Sequence, residues 1–251
     1  MDNLLSITSL NKHFNGVKAL DDFSCSVGKG EIVGLIGPNG AGKSTLFNVI
    51  TGFIEGDSGT VQWKSKNITG QAPHVVALSG IARTFQSLRL LRQMTVLENV
   101  LLAFPSQPGE KLANVFLRSK AVAAVEKKNR TRAMELLEFA GIADKSEGLA
   151  NDLSYGQQKL LSIVCCLAAD AELLLLDEPV AGLNPVMIDK IVAIITGLSE
   201  RGKSVIVIEH NMDAITASCS RVIAMDEGRK ICEGSFDEVK NDPRVIDSYL
   251  E

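Results

Sequence analysis

The stretch Gly37-Pro38-Asn39-Gly40-Ala41-Gly42-Lys43-Ser44-Thr45 combines residue types and a spacing that can hold a phosphate. It satisfies the pattern G-x-x-x-x-G-K-[ST] at every fixed position. Glycines let successive backbone N–H groups curl around an anion without Cβ clashes, and a helix N-terminus adds partial positive charge. In that arrangement Lys43 reaches the β- and γ-phosphates, and the Ser44 hydroxyl sits on Mg²⁺. The alternative is a glycine turn before an ordinary helix. With glycine at about 7% of residues, the four fixed positions recur by chance in roughly one chain in a hundred. The flanks weigh against that alternative: Ile32–Ile36 is an apolar run suited to a buried strand, and Leu46–Ile50 is apolar enough for a packed helix.

Further along, Glu172-Leu173-Leu174-Leu175-Leu176-Asp177-Glu178 is an apolar strand that ends in two acids. Such an ending is costly unless the carboxylates have a partner or a task. Beside a phosphate loop, Asp177 fits the strand-end acid that holds the Mg²⁺ shell, and Glu178 faces the γ-phosphate and can orient an attacking water. A second apolar run, Ser204–Ile208, ends in Glu209-His210. A lone histidine is usually structural, but one at a strand end beside a phosphate site is also a candidate for contacting the γ-phosphate. Spacing alone leaves both readings open. Ser154 and Gln157 fit a capping box, which is a sufficient structural explanation; with Gly156 and the helix N-terminus they also make a second anion site. Phe14 could stack on a purine, although its spacing favours a core position on a strand.

The elements that position these residues follow from periodicity. Leu4–Phe14 and Val17–Val27 alternate roughly and are broken by the hairpin signal Asn15-Gly16, which predicts an antiparallel unit beside the phosphate-binding strand. Thr60–Trp63 reads as a short strand, Pro73–Leu78 as a helix closed by Gly80, and Ile81–Gln86 as another short strand. From Ser87 to about Gly141 the pattern turns helical. Thr95 and Glu98 fit a capping box, Pro105–Gly109 a loop, and Glu110–Ala140 two helices whose charge run, Glu126 to Arg132, is a solvated face. This predicts a helical insertion, residues 87–159, in an α/β core made of 1–86 and 160–251. A helix from Lys159 to Ala169 follows the capping box. Asn184-Pro185 opens another helix, with Met187, Ile191, Ile194, Ile195 and Leu198 on one face. Arg221–Met225 and Arg229–Glu233 form a hairpin, followed by short C-terminal helices.

Composition sets the outer limits. A chain of 251 residues with 45% hydrophobic content supports one large α/β domain or a core with a sizeable insertion. The net charge is −4 and the basic residues are scattered, so no electrostatic footprint for nucleic acid is expected. No apolar run approaches the roughly 18 residues of a membrane span, and Met1-Asp2-Asn3 lacks a signal-peptide start. Five cysteines without a C-x-x-C pair suggest reduced cytoplasmic thiols, with Cys165-Cys166 packed in a core.

Taken together, the motifs resemble an ABC-type ATP-binding cassette over nearly the full length: phosphate loop, Gln86, signature Leu153-Ser154-Tyr155-Gly156-Gln157, strand-end acids Leu173–Glu178, and His210, in that order. The signature discriminates, because the other elements occur in many NTPases. The resemblance implies a P-loop NTPase core of RecA-like type with an antiparallel β subdomain and an inserted helical subdomain, binding ATP and Mg²⁺. It implies a cofactor-binding set of Phe14, Gly37 to Thr45 and, in a head-to-tail dimer with itself or a homologous cassette, Ser154, Gly156 and Gln157 serving the partner's ATP. It also implies that Glu178 polarises water and His210 contacts the γ-phosphate. Gln86 then joins Ser44 and Asp177 near the metal and links the site to the insertion. The insertion would dock on membrane permease subunits, keeping the chain at the cytoplasmic face of the inner membrane.

Two departures from the commonest pattern, Tyr155 for the first signature glycine and Asn184 for an aspartate, are similar to importers of branched-chain and other hydrophobic amino acids. So are Arg83-Thr84-Phe85-Gln86, Met94–Val100, Ile208–Asp213 and the ending Val245–Leu250. The competing assignments are a urea or amide importer, a lipid or lipopolysaccharide exporter, a soluble ABC ATPase for DNA or ribosome work, and a small-molecule kinase or GTPase. The last conflicts with the signature and with the lack of an N-K-x-D guanine motif.

Overall fold

Residues 3–28 build a long hairpin. In the computed structural model, which describes residues 3–86, 88–105 and 120–249 (the side chains of 120 and 121 excepted), β1 (Asn3–Phe14) pairs antiparallel with β2 (Val17–Gly28). Asn15 and Gly16 turn the chain with φ of 46° and 89°, the left-handed pair that matches strand twist. The strands β3 (Ile32–Ile36), β4 (Ser58–Trp63), β5 (Lys66–Asn67) and β6 (Ile81–Arg83) follow, with α1 (Lys43–Ile50) and α2 (Pro73–Leu78) between them. After the helical segment come β7 (Leu173–Asp177), β8 (Ser204–Ile208), β9 (Arg221–Asp226) and β10 (Arg229–Gly234).

Two sheets result, ordered β2-β1-β4-β5 and β10-β9-β3-β8-β7-β6. The expected placement of the hairpin beside the phosphate-binding strand is corrected here. β3 runs parallel between β8 and β9, and the hairpin belongs to the other, antiparallel sheet. Burial explains the split. All five residues of β3 are buried, as a strand covered on both faces requires, whereas β1 buries alternate stretches and exposes the rest. Side chains from both sheets and from α1 share one core, including Leu5, Leu10, Phe23, Phe47, Trp63, Leu175 and Met225.

The chain divides into two compact units, Met1–Gln86 with Glu172–Glu251, and Ser87–Ala171. The second boundary therefore falls after residue 171, not at 159. The second unit contains α3 (Val96–Ala103), α4 (Lys120–Phe139) and α5 (Tyr155–Ala168). α5 packs on both α3 and α4, which is why it stays with the insertion. It begins at Tyr155, directly after its cap, and not at Lys159. Both capping boxes, Thr95/Glu98 and Ser154/Gln157, are formed. Of the two helices expected across 110–140, residues 120–139 are one helix; 110–119, like most of the Pro105–Gly109 loop, lie outside the described residues. Glu126, Lys127, Lys128 and Arg130 are exposed, as a solvated face should be.

In the first unit α6 (Pro185–Glu200) buries Ile191, Ile194, Ile195 and Leu198. α7 (Met212–Ser218), α8 (Phe236–Lys240) and α9 (Pro243–Ser248) complete the chain. Among the described residues no helix is long and apolar enough to cross a membrane.

Candidate functional site

The phosphate loop leaves the end of β3 and runs into α1, as the pattern requires. Its glycines are held by neighbours and not only by turn preference. Gly42 caps α1 with φ of 98°, and a Cβ there would lie 2.2 Å from the Ala19 carbonyl oxygen. A Cβ on Gly37, at φ 150°, would lie 2.0 Å from the Met225 carbonyl oxygen. Neither position can take a side chain without moving backbone.

Lys43 is buried, and its ammonium donates to the carbonyls of Gly37 at 2.6 Å and Pro38 at 2.8 Å. An ammonium has three donors, so one remains for a phosphate oxygen. Burial pulls the Lys43 pKa below its ordinary value, while the carboxylates of Glu178 and Asp177 act in the opposite sense. A cavity of about 220 Å³ opens over the loop. It is lined by Asn39 through Thr45, by Val17 and Ala19 of β2, and by Glu178, Ile208 and His210.

Glu178 is the junction of the predicted catalytic group. Gln86 Nε2 donates to its Oε2 at 3.3 Å, and His210 Nε2 lies 3.6 Å from its Oε1. The three residues thus converge from the ends of three neighbouring parallel strands, β6, β7 and β8. Glu178 also has φ of 50°, rare for a residue with a side chain, and its N–H donates to the Ile208 carbonyl.

Asp177, one residue earlier, is nearly buried and pairs with Arg83 at 2.9 Å. Burial raises its pKa, and the Arg83 guanidinium opposes the rise. Ser44 is exposed on the cavity wall. Hydroxyl, carboxylate and amide oxygens suit a hard cation. Among the described residues no cluster of three or more His, Cys, Asp or Glu could hold a metal alone.

Phe14 departs from what its spacing favours. It is 42% exposed at the end of β1, with the Lys12 ammonium 5.4 Å from its ring centre, so it is a surface aromatic and not a core one. Ser154, Gly156 and Gln157 lie in the other compact unit at the start of α5. Ser154 N–H donates to Gln157 Oε1 at 2.9 Å, and Gln157 N–H donates back to Ser154 Oγ at 3.4 Å. Asn184, the departure in the loop after β7, caps α6 through a 3.0 Å bond from the Met187 N–H, a task asparagine performs as well as aspartate.

Two residues went unassigned in the sequence. Arg83 is one. Glu209 is the other: only 3% exposed, it accepts the Val180 N–H at 2.7 Å and the N–H of His210 at 3.1 Å. It therefore fastens the backbone of His210 to the segment after Glu178. In both cases the available signal was a charged residue bordering an apolar strand, which burial makes costly unless it is paired.

The model of the ABC transporter family matches residues 20–181, which is more than half of the chain. The chain belongs to the ABC transporter family. A second model, described as branched-chain amino acid ATP-binding cassette transporter, matches residues 229–250 of the cassette. The cassette is 36% identical over 248 residues to the high-affinity branched-chain amino acid transport ATP-binding protein LivG of Salmonella typhimurium, covering 98% of this chain and 97% of that protein. A crystal structure of the ADP conformation of an ATP-binding cassette of an ABC transporter is 36% identical, with a TM-score of 0.87 over 100% of this chain and 99% of that one. A bacterial ABC transporter cassette solved as a dimer is 25% identical, with a TM-score of 0.76 over 92% and 98% of the two chains.

Proposed function

We propose that the cassette is the ATP-hydrolysing subunit of an importer for branched-chain or other hydrophobic amino acids. The observation that carries the hydrolytic part is the cavity over the phosphate loop, where Lys43, Ser44, Glu178 and His210 face one space. The amino-acid part is supported by the match of residues 229–250 and by the relative from Salmonella typhimurium.

The residues divide the work by chemistry. Backbone N–H groups of Gly37 through Thr45 and the Lys43 ammonium hold the triphosphate, and Phe14 offers a ring face to the adenine. Ser44, Asp177 and the Gln86 amide oxygen would hold Mg²⁺, which would supply neutralisation of the charge that develops on the phosphates. Glu178 orients the attacking water within hydrogen-bond reach, and His210 steadies the γ-phosphate from the other side of that carboxylate. Catalysis of this kind is mostly positioning, so the 3.3 Å and 3.6 Å contacts of Glu178 with Gln86 and His210 matter as constraints on its aim.

The cassette works as a head-to-tail dimer in which Ser154, Gly156 and Gln157 of one copy complete the phosphate site of the other; a related cassette crystallised as a dimer supports this. The helical unit docks on permease subunits, which hold the cassette at the cytoplasmic face of the membrane. No nucleic-acid partner is involved. The test is uptake of leucine, isoleucine and valine by cells or vesicles carrying the cassette with its permeases. ATP-dependent uptake that disappears with Lys43→Ala is expected. Robust ATPase activity with no amino-acid uptake would reassign the transported solute.

A further inference from the structure

Arg83 sits where three parts of the site meet. Its Nη1 donates to Asn48 Oδ1 at 2.6 Å, and Asn48 lies on α1, the helix that carries Lys43 and Ser44. Its Nη2 donates to Asp177 Oδ2 at 2.9 Å, and its Nε donates to the Thr84 carbonyl at 3.3 Å. The guanidinium carbon lies 5.5 Å from the Phe47 ring centre and 4.8 Å from that of Phe85, so the planar group is stacked as well as bonded. The Arg83 side chain is only 6% exposed and that of Asp177 only 9%.

A buried ion pair of this kind is a weak means of adding stability, because desolvating both charges offsets their attraction. Its value lies in geometry. A fork bonded to two acceptors and clamped by two rings fixes the plane of the carboxylate it holds. We propose that Arg83 is the positioning residue of the Mg²⁺ site, an inference that rests on the ATP–Mg²⁺ reading above. By holding Asp177 Oδ2 while bonded to Asn48, it sets the distance between the Asp177 carboxylate and the helix that presents Ser44. Phe85, stacked on the same guanidinium, transmits that position to Gln86, the next residue along. Lysine cannot substitute fully, since it lacks the planar fork that fits between the two rings and fixes both acceptors in direction.

The test separates metal positioning from folding. Full-length wild type, Arg83→Gln, Arg83→Lys and Asn48→Ala are titrated with a fluorescent ATP analogue in EDTA, then against increasing Mg²⁺. Affinity in EDTA should stay within about twofold in all four proteins, because Lys43 and the loop amides are untouched. The half-saturating Mg²⁺ concentration should rise about tenfold in Arg83→Gln, the scale of one lost charge-assisted hydrogen bond, and about threefold in the two partial variants. Wild-type Mg²⁺ dependence in Arg83→Gln overturns the inference. So does an equal loss of affinity in EDTA, which is what a general packing defect produces. If Arg83→Gln fails to fold, Asn48→Ala, which keeps both charges, decides by the same criteria. A wild type that binds no nucleotide, or binds it without regard to Mg²⁺, removes the ATP–Mg²⁺ reading itself and this inference with it.

Discussion

In the proposed function Lys43 serves binding and Glu178 serves chemistry, and single substitutions should separate them. Lys43→Ala removes a buried cation aimed at the phosphates, so ATP affinity should fall roughly ten- to hundredfold, the worth of one or two hydrogen bonds to a charged group; calorimetric titration measures it, and unchanged affinity contradicts the role. Glu178→Gln keeps the shape of the carboxylate and loses its charge. Hydrolysis should fall by about a hundredfold or more with nucleotide binding retained, as for loss of a general base. At this scale the sequence was most informative where a residue's chemistry and its place at a strand end coincided. Glu178, His210 and Gln86 came together because three parallel strands end side by side. Phe14 was misplaced because alternation in β1 predicts a face but not how far along the strand the cover extends. Arg83 and Glu209 were missed because their meaning depends on partners distant in sequence, Asp177 for one and Val180 for the other.

The N-terminus of α5 is the element whose function is least separable from its structure. Ser154 is engaged in a complete capping box, so Ser154→Ala should cost about 1 kcal/mol of unfolding free energy, read from denaturant titration. Ser154→Arg should spare ATP binding yet block turnover, because it places a bulky cation on the face where the second cassette of the proposed dimer would close. Normal turnover in Ser154→Arg would leave Ser154 only a cap. Elements were legible wherever local signals agreed: the Asn15-Gly16 turn, the Pro73 and Pro185 helix starts, and all the short parallel strands flanked by helices. Neighbours were less so. Periodicity reports which face of a strand is buried, whereas strand order depends on pairings far apart in sequence, such as β3 with β8. Hence the hairpin was placed beside β3 when it belongs to a separate sheet. β6 also stops at Arg83, short of Gln86, because the Thr84 hydroxyl takes the Asp177 N–H that a longer ladder would have used.

For the whole molecule, the thiols give an independent check on packing. Burial pushes Cys25, Cys165 and Cys166 up to about 12 and Cys219 to about 11. A raised thiol pKa means less thiolate at any given pH, so at pH 8 the thiolate fraction of the first three is about one in ten thousand. Iodoacetamide at pH 8 should leave the buried Cys25 and Cys166 unmodified in the folded protein and label all five cysteines after denaturation. Rapid labelling of Cys166 in the folded protein would contradict the packing of α5. The chain divides after Gln86, where its texture changes, and again before Glu172; α5 is apolar enough to belong to either unit, and its packing on α3 and α4 assigns it to the second.

In the proposed dimer the phosphate loop of one copy and the start of α5 of the other share each nucleotide. The most direct measurement is light scattering on Glu178→Gln with and without Mg-ATP, alongside the amount of nucleotide bound. The substitution traps ATP by removing the water-orienting charge, so addition of Mg-ATP should shift the mass from one 26.9 kDa chain to two, with one ATP retained per chain. A chain that binds ATP and stays a monomer at every concentration tested would contradict the shared site, leaving the signature as a helix cap and the phosphate loop as a site complete in itself.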